Sequence, residues 1–310
     1  MKVVAGIDEA GLGPTLGPLC FGLAAFRAPD AGRRLFGRCE GFVARAPEAA
    51  PERLAIDDSK RLFAGRANLA ALELAALATC APRTPRPTTL EELAGGDAGR
   101  WPRWYGGDHP RLPVAAEETH VATWRERWLA ELARVDVEPL ACLVRPVLED
   151  EFNESLRRGL NKAEAVLARV GPLLARAAAL DPSCDCEIRV DRLGGRKFYA
   201  PLLRSIFPLR PLAIVQESET VSSYEIRDGA RTIRVSFEVE GDGAHLEIAL
   251  ASVVAKYVRE LFVDRLNRHF APRRPGVRPT AGYPLDARRW LDELGDALSS
   301  EERAALVRLR

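Results

Sequence analysis

The strongest constraint on this chain lies at its start. Val3-Val4-Ala5-Gly6-Ile7 runs directly into Asp8 and Glu9, then into a turn holding Gly11, Gly13 and Pro14. An apolar run of this kind reads as a core strand. Adjacent carboxylates at the end of a core strand are unfavourable unless something positive meets them. Strand alternation aims Asp8 and Glu9 at opposite faces, so only a strand end or a twist lets both serve one edge. A metal-bearing edge would do so, provided the rest of the chain brings further carboxylates to it.

With 310 residues, 47% of them hydrophobic, the chain suffices for one large domain, or one with a sizeable insertion. Its 45 Lys+Arg and 44 Asp+Glu leave a net charge of +1, so overall charge is no argument for nucleic acid. A polyanion would have to be met by a local patch or by bound metal ions. Six cysteines are scattered without a CxxC pair, and Cys184 and Cys186 form a lone CxC, so neither a disulfide scaffold nor a zinc site is expected. No signal peptide and no apolar stretch of spanning length is read, which gives the expectation of a cytoplasmic protein with no membrane partner. The oligomeric state leaves no sequence signal.

Further along, residues 19–26 read as a second buried strand, joined to the first through a turn containing Gly11, Gly13, Gly17, Pro14 and Pro18. Residues 30–53 are a loose Arg/Ala/Pro segment. Asp58 or Ser59 can cap the helix whose apolar face runs through Leu69, Leu72 and Leu74. Prolines interrupt residues 81–116, which also carry Trp101, Trp104 and Tyr105. The stretch 81–135 is therefore expected as an insertion or flap outside the core, although its helical end bears Trp124 and Trp128. Its aromatic residues suit either base stacking or a small satellite core. His109 and His120 lack the Cys or paired acids a zinc site needs.

A strand at 140–144 and one or two helices over 149–180 precede a strand at 186–191 that ends in Asp191. A helix at 200–207 and a strand at 212–216 follow. Residues 222–240, with Asp228-Gly229 as a turn signal, read as an inserted hairpin. A patterned helix spans 247–267, and 285–310 is a helical extension in which Ser299 and Glu302 suit a capping box. Strands and helices alternate along one chain, so the class is α/β with a central sheet and a single domain over 1–310.

Three acidic segments carry the chemistry: Asp8-Glu9, Asp191, and Asp242 just before the long helix. Carboxylates converging at a sheet edge are what a hard divalent cation needs, because Mg²⁺ takes oxygen ligands. Two such ions about 4 Å apart activate a water and stabilise the leaving oxygen of an in-line phosphoryl displacement. Glu217 and Glu219 compete with Asp242 as the fourth ligand. A dinucleotide-binding turn at Gly11-x-Gly13 is disfavoured by Pro14, Pro18 and the neighbouring acids.

Five segments together resemble a known family. Gly6-Ile7-Asp8-Glu9-Ala10-Gly11-x-Gly13-Pro14, Asp58-Ser59-Lys60, Val190-Asp191-Arg192-Leu193-Gly194, Asp242 with Ala251-Ser252-x-x-Ala255-Lys256, and Gly282-Tyr283-Pro284-x-Asp286 are similar to motifs of type 2 ribonucleases H, the ribonuclease HII group. Some forms are closer to archaeal and eukaryotic members. The resemblance implies a ribonuclease H-like fold with a central mixed five-stranded sheet flanked by helices. It also implies a Mg²⁺- or Mn²⁺-dependent endoribonuclease acting on RNA/DNA hybrids and on ribonucleotide-containing duplex DNA.

Asp8, Glu9, Asp191 and Asp242 would be the catalytic, metal-binding tetrad. Ser59 would be a substrate-binding position, while Lys60, Lys256 and Arg259 would approach phosphates and Tyr283 would stack near the ribose. The backbone amides of Gly11 and Gly13 would face the 2′-hydroxyl. The chain departs from the family in having Leu12 where an Arg or Lys is usual between the two glycines, and Glu260 where Asp is common. A non-catalytic nucleic-acid- or partner-binding homologue is the alternative.

Overall fold

The computed structural model describes residues 1–30, 34–45, 52–63, 69–80, 85–95, 98–107 and 109–309. Its strands are β1 (Lys2–Ala10), β2 (Leu19–Ala28), β3 (Val43–Ala44), β4 (Leu54–Ala55), β5 (Glu138–Val147), β6 (Cys186–Asp191), β7 (Leu212–Glu217), β8 (Val221–Asp228) and β9 (Arg231–Glu238). The helices are α1 (Leu35–Cys39), α2 (Ser59–Leu62), α3 (Leu69–Thr79), α4 (Leu90–Ala94), α5 (Glu118–Arg134), α6 (Glu149–Arg157), α7 (Lys162–Ala178), α8 (Ala200–Ile206), α9 (Leu246–Phe270), α10 (Pro284–Leu294) and α11 (Ser300–Leu306).

One mixed sheet has the order β5-β2-β1-β6-β9-β8-β7, and β3 pairs with β4 apart from it. β1 is antiparallel to β2 and parallel to β6, which is in turn parallel to β9. The sheet has seven strands, not the expected five, because it continues past β9 through the antiparallel β8 and β7. Residues 222–240, read as an inserted hairpin, are thus part of the main sheet. The inward residues Ile233, Val235 and Phe237 are buried with Ile188 and Val190 of β6.

Helix α9 covers one face of this sheet. Its Ala, Val and Leu residues cover most of its circumference, so it is buried almost throughout apart from a narrow polar stripe of Lys256, Glu260, Asp264 and Arg268 at every fourth position. Two glycines let it approach the strands closely. A Cβ on Gly6 would stand 2.2 Å from the Glu247 carbonyl carbon, and one on Gly22 would stand 2.1 Å from the Ala251 oxygen. The opposite face is packed by α7 and α8, with Tyr199 stacked on Phe237 at 3.6 Å.

The described part of 81–135 does not lie outside the core. Leu90, Leu93, Trp104, Tyr105 and Leu112 are buried with α9, and Tyr105 meets Phe262 edge-on at 4.9 Å. Trp101 packs on the same Phe262 ring at 4.8 Å. The side of α9 that carries Phe262 and Phe270 is apolar, and these aromatics are what covers it. Trp128 of α5 likewise packs edge-on against Phe26 and Phe42. Residues 149–180 form two helices, and capping boxes start α7 at Asn161 and α11 at Ser299. Among the described residues, no helix is long and apolar enough to cross a membrane.

Candidate active site

Parallel pairing of β1 with β6 sets Ile7 opposite Val190, so Asp8 and Asp191 leave the sheet level with one another. Asp242 arrives from another direction, in a 3-10 turn (Gly241–Gly243) just ahead of α9. The Gly241 N–H donates to Asp191 Oδ1 at 2.9 Å, which ties that turn to the end of β6. Glu9 follows Asp8 at the end of β1, and its Oε2 is buried with no hydrogen-bond partner. All four acids line one cleft of about 270 Å³. Ser59, Lys60, Lys256, Tyr283, Gly11 and Gly13 line it too. Glu217 and Glu219 do not; Glu217 accepts from Tyr224, and Glu219 pairs with Lys197.

Burial, then the field of Asp191, raises the Asp8 carboxyl to about 8, against the Ser252 hydroxyl and the Glu9 N–H. Burial and then Asp8 and Asp191 push Glu9 well above the usual carboxylate range. Burial raises Asp191 to about 6, opposed by the Gly241 N–H, and burial with Asp58 raises Asp242. Burial opposes the Lys60 charge, but Asp58, Asp242, Asp8 and Asp191 together hold its pKa up.

Among the described residues, no three His, Cys, Asp or Glu side chains are drawn together as a ready-made metal site. The donors nonetheless fit a hard divalent cation: they are carboxylate oxygens that repel one another, and one buried oxygen lacks a partner.

The sign of the pH effect follows. These acids hold protons in the folded state at pH values where the unfolded chain has lost them, so unfolding free energy falls as pH rises through that window. Acids shifted the other way, Glu238 and Glu302 among them, act below it, these two held near 2. In EDTA the melting temperature is expected to fall from about pH 5 to about pH 8, with Asp8→Asn flattening the slope. Mg²⁺ should restore more at the upper end. A flat or rising profile for the metal-free protein would contradict this electrostatic picture.

The cations are placed differently from one another. Asp58 caps α2 by accepting the Lys60 N–H at 2.8 Å, and the Ser59 hydroxyl meets that of Ser252 at 2.9 Å, fastening α2 to α9. Lys60 is exposed at the cleft. Lys256 donates to Glu260 at 2.6 Å and lies 4.8 Å over the Phe63 ring. Arg259, expected to approach a phosphate, is 1% exposed and is not part of the cleft lining. Its guanidinium bonds Glu260 at 2.9 Å and the carbonyl of Ala281 at 3.0 Å, with Leu16 at 3.4 Å. It is a clamp on the loops that wall the cleft.

Those loops are themselves tightly held. Gly11 has φ +97°, and a Cβ there would stand 2.6 Å from Arg259 Nε. At Gly282, φ is +83°, and its carbonyl accepts the Thr15 N–H at 2.7 Å. That contact sets Tyr283, half exposed, at the mouth of the cleft. Asp286 secures the same turn, accepting from the Thr280 hydroxyl at 2.7 Å and the Ala281 N–H at 2.6 Å.

Two positions were given no role by the sequence reading, where Ser252 stands only as part of a motif. Ser252 lies one helical turn before Lys256, a spacing that puts both on one face of α9 and could have marked it. Arg308, which donates to the carbonyls of Gly11 and Pro14, has no local signal at all.

Fold and cleft define an α/β protein with a mixed sheet and an acidic centre at the ends of adjacent parallel strands. Residues 208–308 match the family model of ribonuclease HII. That match covers about a third of the chain and includes the last two of the five motifs. Among solved structures, it is similar to ribonuclease HII of Archaeoglobus fulgidus in its complex with PCNA, at 17% identity over 99% of this chain and 92% of that one, TM-score 0.43. Ribonuclease H2 from Pyrococcus horikoshii OT3 is similar at 17% identity over 94% and 86%, TM-score 0.41. Bst-RNase HIII in complex with Mn²⁺ is similar at 14% identity over 99% and 66%, TM-score 0.43. Among curated proteins compared by sequence, none matches.

Proposed function

We propose that the protein is a divalent-metal-dependent endoribonuclease that hydrolyses the RNA strand of RNA/DNA hybrids and cuts at ribonucleotides embedded in duplex DNA. The observation that carries this reading is the convergence of Asp8, Glu9, Asp191 and Asp242 on one cleft that Lys60 and Lys256 also line. Clustered acids facing a polyanion would only weaken binding, whereas they are needed to hold Mg²⁺ or Mn²⁺. Bound there, such ions supply an activated water and charge stabilisation at the leaving oxygen.

The chain's own groups do the rest. Lys60 and Lys256 offset phosphate charge at the rim. Gly13 has open space where a Cβ would project, so a sugar edge can approach its backbone. Tyr283 offers a ring at the mouth for the ribose next to the scissile bond. Leu12 lines the same cleft and offers no cation between the glycines.

The test compares a duplex holding one ribonucleotide with one holding a run of several, in Mg²⁺ and in Mn²⁺. The run is expected to be cut better, because the Leu12 position contributes no charge at a single junction. Equal or preferential cutting of the single site would contradict the role given to Leu12, and no cutting of either would remove the nuclease reading.

A further inference from the structure

His245 caps the start of α9, where Ser, Thr, Asp or Asn is usual, yet its side chain makes no capping bond. The ring turns back to β9 instead. Nε2 donates to Glu238 Oε2 at 2.9 Å, since an ionised carboxylate can only accept. Nδ1 lies 3.7 Å from Glu247 Oε1, which accepts from Arg189 at 2.5 Å. The residue is 3% exposed. The His245 bond, with Ser236 adding and burial opposing, holds the Glu238 carboxyl down to about 2, so it is ionised at neutral pH.

Glu238 ends β9 and His245 precedes α9, so their contact closes a ring around residues 239–244, Asp242 among them. The His245 N–H also donates to the Gly241 carbonyl at 2.9 Å, inside the ring. Glu240 has φ +55° and ψ +39° there, a left-handed conformation that is costly for a residue with a side chain. It persists only where the surroundings hold it. Two bonds do so: the Gly241 N–H on Asp191 Oδ1 at 2.9 Å, and the His245 ring on Glu238, itself in register with Asp191.

Asp8 and Asp191 stand on paired strands, whereas Asp242 stands on this short turn. Burial most of all, and the Asp242 charge in addition, disfavour ionisation of Asp8 and Asp191. The acids therefore repel one another, and the turn needs a fastening that does not depend on a cation.

We propose that His245 is a positioning residue for the acidic centre: by bonding Glu238 it closes the 239–244 turn and holds the Asp242 carboxylate toward Asp8 and Asp191. The role rests on reading the four acids as a metal centre.

The experiment uses the full chain and three measurements: Mn²⁺ affinity by calorimetry, hydrogen exchange of the Gly241 amide, and melting temperature in EDTA. His245→Leu removes both ring nitrogens. Glu238→Ala removes the acceptor at a strand end where the side chain is 23% exposed, and it serves where His245→Leu fails to fold. The double variant completes a cycle, and His245→Gln keeps an N–H donor.

Each single variant is expected to weaken Mn²⁺ binding about tenfold and to speed exchange at Gly241, and the double variant should lose no more than either alone. His245→Gln should recover most of the affinity. Charge alone gives another pattern, because losing the Glu238 carboxylate weakens a bound cation and losing the imidazole does not. A residue that only stabilises the fold would lower the melting temperature and leave the Mn²⁺ affinity of the folded protein unchanged. Unchanged affinity in both single variants, or additive losses in the double variant, overturns the proposal and leaves the metal centre standing. A wild type that binds no Mn²⁺ removes the metal centre, and this role with it.

Discussion

Asp8→Asn is expected to lower metal-dependent cleavage of a hybrid by about a thousandfold or more, since holding the ions supplies several kcal/mol of transition-state stabilisation. The same substitution should leave the metal-free protein as stable as the wild type, or more so, at pH 8. Asp8 is buried beside Asp191 and its charge is disfavoured there, so the neutral amide removes an unfavourable group while keeping its shape. Lost activity with retained or increased melting temperature separates a functional acid from a structural one. Cleavage within tenfold of wild type would sink the metal-centre assignment, and a large fall in melting temperature would make Asp8 a packing residue.

Gly22→Ala is expected to destabilise the protein by about 3 kcal/mol or more, at the upper end of overpacking costs, because the added carbon would meet backbone and no movable side chain. The Ala251 oxygen would stand 2.1 Å away, and α9 would have to lift from β2. Gly6→Ala should act likewise through Glu247 and Ile248. Lifting α9 also shifts Ser252 and Lys256, so residual activity should fall even where the variant stays folded. Gly195→Ala, with nothing within 4 Å of the new carbon, is the control and should change the denaturation midpoint little. A Gly22→Ala midpoint equal to that of the control would mean the helix and sheet do not meet as described.

Much of this was legible in the chain because the signals were local. An apolar run that ends in acids marks the end of β1, and β6 spans Cys186–Asp191 as its pattern predicts. The capping box at Ser299 is a four-residue signature, and it is present. What could not be read depends on distant partners. The aromatics of 101–105 sit among prolines and glycines with no helical or strand period, so nothing local says that α9 needs them as a cover.

The strands at 222–240 alternate in the same way whether they stand alone or join a sheet; only the neighbouring β6 decides. The burial of Arg259 went unread for a similar reason. A helical arginine normally faces water, and the Ala281 and Leu16 carbonyls that bury it leave no trace in residue identity. Arg308 is the extreme case, since its partners Gly11 and Pro14 are also backbone oxygens.

That last contact bears on the order in which the molecule assembles. Arg308 and Gly11 are 297 positions apart in sequence, and Arg308 and Pro14 are 294 apart. Contacts with such separations form late, because closing a long stretch of chain costs entropy before it returns any interaction. β1 and its glycine loop are made before the segment that carries Arg308, yet the loop waits for that segment before its conformation is secured. Hydrogen exchange during refolding should find the amides of Thr15 and Leu16, both bonded to the Gly282 carbonyl, protected after those of β1 and β2, leaving a young chain with a sheet in place and its cleft wall still unset.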